Sequence, residues 1–166
     1  DRSLMSDKND GPWYYQQINL GFNYRMTELQ AALGISQMKK LDEFVSKRHV
    51  LQEKYDTLID SLPVIKPHQH EDSYSALHLY PVQIELNKVN KNRRQIFNEL
   101  RENGIGVNVH YIPIHTQPYY QQLGFKEGDF PNSEHYYSRA ISIPLFHAMT
   151  LNQQDQVFDT LKRILQ

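Results

Sequence analysis

Between Thr27 and Leu62 the apolar residues Leu29, Ala32, Leu33, Met38, Leu41, Phe44, Val45, Leu51, Tyr55, Leu58 and Ile59 mostly return at steps of three and four. That spacing puts them along one side of a helix. Thr27 followed three residues later by Gln30 has the form of a capping box, in which a hydroxyl and a side-chain amide satisfy helix-end donors reciprocally. The pattern therefore predicts a helix with Thr27 as N-cap, running to about Leu62. Roughly 35 residues without proline make a rod of about 50 Å at 1.5 Å per residue, far beyond the usual three turns. Such a helix either bends or links two bodies. Its first half, residues 29–35, is apolar on more than one face and wants a partner, another subunit or a further domain.

Pro63 and Pro67 end this run, and residues 68–75 are polar enough for an exposed loop. Residues 77–86, LHLYPVQIEL, alternate with the two-residue period of a half-buried strand, although Pro81 fits only an edge or a bulge. A helix is predicted from Asn92 to Asn103, with Ile96, Phe97 and Leu100 inward and Gly104 as its C-terminal cap. Residues 107–113, VNVHYIP, read as a second strand. Residues 118–123 and 132–139 read as short helices, and residues 140–145 as a third strand. Thr150 with Gln153 repeats the capping box before a last helix whose apolar stripe is Val157, Phe158, Leu161, Ile164 and Leu165. The order implies an α+β fold, a long N-terminal helix followed by a small, mostly antiparallel sheet with flanking helices. Residues 1–26 read as a loop belonging to a larger body, 27–62 as an interdomain or interface helix, and 63–166 as a small α+β domain.

Composition changes this picture little. With 18 basic and 19 acidic residues among 166 and a formal net charge of -1, nothing favours a nucleic-acid partner or an anionic membrane surface. No apolar run reaches membrane-spanning length and no charged-then-apolar leader opens the chain. The absence of cysteine excludes disulfides and thiolate chemistry and suits a reducing compartment, so a soluble cytoplasmic protein is expected. The opening residues 1–11 are polar and carry no helix or strand signal, as though the chain began inside a larger protein.

The candidate chemistry is local. Asn23, Tyr24 and Arg25 lie on the approach to the predicted helix start at Thr27, where unpaired N–H groups and the positive dipole end favour an anion such as a phosphate. Asn23 also suits a turn, Arg25 an ion pair between subunits, and Tyr24 simple packing. Trp13, Tyr14 and Tyr15 read as packing aromatics before a wall over a nucleotide base. His110, Tyr111 and His115 run from a strand into a proline-broken loop, the kind of segment in which binding residues concentrate, although His110 taken alone reads equally as a core histidine with its ring nitrogens satisfied. His68, His70 and His78 fall close together but match no closed zinc pattern, so no metal site is expected. Glu71 with Asp72, and Glu127 with Asp129, read as loop solvation; Lys91, Arg93 and Arg94 read as a solvated helix start.

Three stretches carry a family resemblance. GFNYRMTELQAALGISQMKKLDEF, VNVHYIPIHTQPYY and AISIPLFHAMTLNQQDQV resemble, in order and spacing, the C-terminal part of the DegT/DnrJ/EryC1/StrS sugar-nucleotide aminotransferases, which are fold-type I pyridoxal-phosphate enzymes. GPWYYQQINLGFNYRMTE and HLYPV look most like members that aminate a UDP-linked 4-keto sugar in pseudaminic acid biosynthesis. The resemblance implies a homodimer in which Asn23 reaches the cofactor phosphate of the other subunit, with Arg25 beside it, and in which His110, Tyr111 and His115 face the substrate. It places the Schiff-base lysine, the aspartate facing the pyridine nitrogen and the stacking aromatic upstream of this region. Lys39, Lys40 and Lys47 match no lysine motif, and an amphipathic surface does not lower a lysine pKa. The chain is thus expected to be a fragment without catalytic residues of its own. Two rivals remain: a lysine-less sugar dehydratase of the same family, and a cofactor-free dimerisation or binding module.

Overall fold

The computed structural model describes residues 2–6, 11–22 and 24–166; Asn23 lies outside them. The chain divides into two units, Asp1–Lys39 and Lys40–Gln166. In the first, a short 3-10 turn at Arg2–Leu4 and a turn closed by Tyr14 N donating to Gly11 O come before helix α1, Glu28–Met38. The expected capping box is present: Gln30 N donates to Thr27 Oγ1 and Thr27 N to Gln30 Oε1, at 3.3 and 2.9 Å. No residue of α1 is buried.

The run expected as one helix is two. Helix α2, Leu41–Ile59, opens the second unit, and Lys39 and Lys40 separate it from α1. Lys40 sits at φ -110° and ψ -1°, off the helical minimum. The Lys39 N–H still donates to the Ile35 carbonyl with helical spacing, and the departure follows at Lys40. Neither proline nor glycine marks this break, so apolar spacing alone runs straight through it.

In the second unit Leu51, Tyr55 and Ile59 line the buried face of α2 at four-residue steps. They meet a three-stranded antiparallel sheet of order β1-β2-β3, formed by Val64–Ile65, Tyr80–Ile84 and Ala140–Ile143. Along β2 the side chains alternate as read from sequence, with Tyr80, Val82 and Ile84 fully buried. Helix α3, Arg93–Glu102, sends Ile96 and Leu100 into the same core, and α6, Leu151–Leu165, adds Val157, Leu161, Ile164 and Leu165. Between α3 and β3 lie two short helices, α4 at Pro118–Gln122 and α5 at Pro131–Arg139.

Polar groups register the layers. Tyr80 donates its hydroxyl to Asp56 at 2.5 Å, Tyr55 to the Pro144 carbonyl at 3.0 Å, and the fully buried Gln154 donates to the Leu51 carbonyl at 2.6 Å. Burial first, then the Asp56 hydrogen bond, pushes the Tyr80 phenol far above its usual range, and burial does the same to Tyr55. Both therefore act as fixed donors.

Pro81 sits inside the central strand, yet its place obeys the edge rule. Ser142 exchanges both backbone bonds with Asn108 on the far side of β3, so the Pro81–Ser142 pair is one without hydrogen bonds. The Pro81 nitrogen points the other way, and there β1 reaches only Ile84 and Gln83. No donor is missed.

The strand expected at residues 107–113 is reduced to the single bridge Asn108–Ser142. The next N–H, that of Val109, faces away from β3 and is taken by the Asn108 side chain at 2.8 Å. β1, between two prolines, had no sequence signal.

α3 ends in a Schellman motif: Ile105 N donates to Leu100 O and Gly104 N to Arg101 O, with Gly104 at φ +77°, which glycine adopts freely. Replacing Gly104 by alanine is expected to lower stability by about 1 kcal/mol through its left-handed backbone. Leu100→Ala is expected to cost about 3 kcal/mol through the cavity it leaves. Urea unfolding midpoints of the two variants check both figures and their order.

Candidate functional site

The segment after Asn108 departs from the sheet with its side chains tethered. His110 Nδ1 lies 2.8 Å from the Ser142 hydroxyl, and Ser142 is held in β3, whose four residues are all buried. Tyr111 follows across a cis peptide bond; its ring meets His110 edge-on at 4.6 Å, and the residue is 69% exposed. Pro113 then starts a single 3-10 turn, Ile114–Thr116. Thr116 N and Oγ1 both donate to the Pro113 carbonyl, at 3.0 and 2.8 Å. The turn drives His115 inward, to 7% exposure.

His115 is buried against a charge. Its Nε2 lies 2.6 Å from Glu134 Oε1, on α5, and its ring is 4.8 Å from that of Phe130. The same carboxylate oxygen accepts the Gly128 N–H at 2.8 Å. His115 first, and then the Gly128 amide, hold the Glu134 carboxyl below its ordinary 4.5. Beside the pair lies a cavity of about 340 Å³ lined by Ile114, His115, Tyr120, Phe125, Phe130 and Ser133. Aromatic walls with one polar, buried ring suit a ligand that has an apolar face and a hydrogen-bonding edge.

The residues read from sequence thus divide. His110, Tyr111 and His115 are brought to one segment of the second unit, with His110 and His115 tied in opposite directions, to β3 and to α5. Arg25 belongs to the first unit, exposed, two residues before the Thr27 N-cap, in a surface cleft with Phe22, Tyr24 and Met26; the rings of Phe22 and Tyr24 stack at 5.4 Å. Among the described residues of this unit, the chain offers a cofactor the charged approach to a helix N-terminus but no closed cage for a ring. That fits a phosphate and not a whole cofactor. Lys39, Lys40 and Lys47 are exposed, and Lys47 pairs with Glu43 at 2.6 Å. Trp13 and Tyr15 are exposed as well.

Arg93 departs from expectation. Instead of lying solvated at a helix start, its guanidinium covers the Tyr137 ring at 4.4 Å and donates to the Tyr137 carbonyl, locking α3 onto α5. Lys91 reaches Glu99 at 2.7 Å. His70 Nδ1 accepts from the Asp72 N–H at 3.2 Å, and among the described residues no group of three His, Cys, Asp or Glu is placed to hold a metal ion. No helix of the described residues is long and apolar enough to cross a membrane. Two site residues escaped the sequence reading. Ser142 carried a signal, a hydroxyl in the otherwise apolar AISI; Glu134 carried none, since its partner lies 19 residues away.

Comparison with known proteins defines the class. The chain belongs to the DegT/DnrJ/EryC1/StrS aminotransferase family, whose sequence profile matches residues 4–162. It is 39% identical over 160 residues to the spore coat polysaccharide biosynthesis protein SpsC of Bacillus subtilis, covering 95% of this chain and 41% of SpsC. It is 34% identical over 155 residues to the UDP-4-amino-4,6-dideoxy-N-acetyl-beta-L-altrosamine transaminase of Campylobacter jejuni, covering 93% of this chain and 41% of that enzyme. Spr1654 of Streptococcus pneumoniae, solved in a PMP form, superposes with a TM-score of 0.83 at 26% identity, over 94% of this chain and 39% of that one. The chain spans about two fifths of the length of the curated relatives it matches.

The Glu134 shift gives a pH test. A carboxyl whose folded pKa is depressed contributes stability that is fully present above its unfolded value and is lost as pH falls through the lower, folded one. Glu134→Gln is therefore expected to be less stable than the parent above about pH 4.5, with the gap closing as pH falls below that value. Urea unfolding at steps from pH 6 to pH 3 reads the convergence.

Proposed function

We propose that this chain is the C-terminal part of a pyridoxal-phosphate aminotransferase that moves an amino group, from glutamate, onto a UDP-linked 4-keto sugar of the pseudaminic acid type. The observation that carries this reading is the family match along residues 4–162, together with the tethered His110–His115 segment beside an aromatic cavity. The named activity of the Campylobacter relative supports the substrate class. When bound, pyridoxal phosphate supplies the electron sink that makes transfer of the amine possible.

The residues of this chain then have binding and orienting roles. Asn23 and Arg25 hold the cofactor phosphate of the partner subunit, Arg25 from two residues before the Thr27 N-cap, its guanidinium by paired N–H bonds to the phosphate oxygens. His110, Tyr111 and His115 face the sugar, with Tyr111 the most exposed of the three. Leu29, Leu33, Ile35 and Met38 on α1 stand exposed, an apolar surface that supports a homodimer contact there. The lysine that bonds the cofactor lies outside this chain, so the chain alone does not turn over.

Two measurements test the reading. The purified 166-residue chain, given pyridoxal phosphate, glutamate and a UDP-4-keto sugar, is expected to form no amino sugar above background; turnover by the chain alone would falsify the fragment reading. In the intact enzyme Arg25→Ala is expected to weaken cofactor retention about tenfold, the worth of one charge-assisted contact. Titration of the apo form, followed by the cofactor absorbance, gives that value, and unchanged retention removes Arg25 from the phosphate site.

A further inference from the structure

A neutral imidazole carries its hydrogen on one of two nitrogens, and whichever nitrogen is free decides what the ring offers a ligand. For His115 that choice is made by Glu134. An ionised carboxylate only accepts, so Nε2, 2.6 Å from Glu134 Oε1, carries the hydrogen. No described residue bonds Nδ1, which leaves it as the ring's acceptor in a side chain that lines the aromatic cavity.

Glu134 is itself fixed from two sides. It projects from α5, whose N-cap is Phe130, and Oε1 takes the Gly128 N–H as well as His115. The loop before α5 is further closed by Lys126 N donating to Asp129 at 2.9 Å. One carboxylate oxygen thus joins three pieces: the 3-10 turn that carries His115, the loop around Gly128, and the helix that follows. Phe130, whose ring lies 4.8 Å from the imidazole, belongs to the end of the same loop, as the N-cap of α5.

We propose that Glu134 is a positioning residue of the substrate-facing site: it locks His115 in the Nε2–H tautomer and so presents Nδ1 as an acceptor for a hydroxyl or amide N–H of the sugar. The proposal rests on the reading of His115 as substrate-facing. Glu134 touches no ligand; it acts through the imidazole and by holding Phe130 at the cavity wall.

The lock and its use are read separately. In the full chain labelled with 15N-histidine, two-bond 1H–15N spectra above the imidazole titration are expected to show His115 protonated on Nε2 alone. Glu134→Gln keeps that state, since the amide oxygen still accepts, whereas Glu134→Ala gives a mixture of tautomers. An unchanged tautomer in Glu134→Ala overturns the lock. In the intact holoenzyme Glu134→Ala is expected to raise KM for the UDP-keto sugar about tenfold with kcat within about twofold, and Glu134→Gln to restore KM. Equal losses in both variants, or a fall in kcat and amount of folded protein with KM unchanged, overturn the positioning role. If instead His115→Asn leaves KM unchanged while the tautomer responds as stated, the substrate-facing reading of His115 falls and the lock stands without it.

Discussion

The second unit hangs on the pairing of one short strand. β3 has four residues, all buried, and is bonded on both sides: by β2 along its length and by Asn108 at Ser142. Because the backbone of Ser142 is committed to Asn108, its hydroxyl is the group left to meet His110. Core register and site geometry therefore share one residue. A slip of β3 by a single position would turn Ile141 and Ile143 away from the core and remove the His110 tether at the same time. A register fixed by burial and by bonds on both sides of β3 is what allows a histidine on an otherwise irregular segment to be held at a defined distance.

The second anchor is electrostatic and local. Where His110 is held by a neutral hydroxyl, His115 is held by a carboxylate, and a buried imidazole paired with an anion has a defined donor direction that a hydroxyl, able to donate or accept, does not impose. The two histidines of HYIPIH thus have different characters although they lie five residues apart. Between them Tyr111 and Ile112 remain open to solvent, as a segment pinned at both ends would leave its middle.

Much of this was legible in the chain. Three caps, at Thr27, Gly104 and Thr150, were written in residue types whose hydrogen bonding is local, and each is found where read. The inward faces of α3 and α6 followed from spacing. What failed was whatever depended on distant partners or on backbone angles without a residue signature. The break between α1 and α2 is a departure in φ and ψ at Lys40, an ordinary helix former. The stretch 107–113 had the composition of a strand, but its pairing with β3 is confined to Asn108. Arg93 looked like a surface charge because nothing in its neighbourhood announced Tyr137. Glu134 was invisible for the same reason. Of the residues proposed to meet cofactor and substrate, the family resemblance suggested the positions, and only the fold could say that His110 and His115 are tethered and Arg25 is exposed.

Pro81 has one further consequence. The margin of β2 beyond Gln83 is uncovered by β1, and an uncovered strand margin is a template on which a stray chain can add. An incoming strand would need the amide hydrogen at position 81 to continue the ladder, and proline has none. The residue that looked like a flaw in the central strand protects the unit from edge-to-edge association, at no cost in native hydrogen bonds.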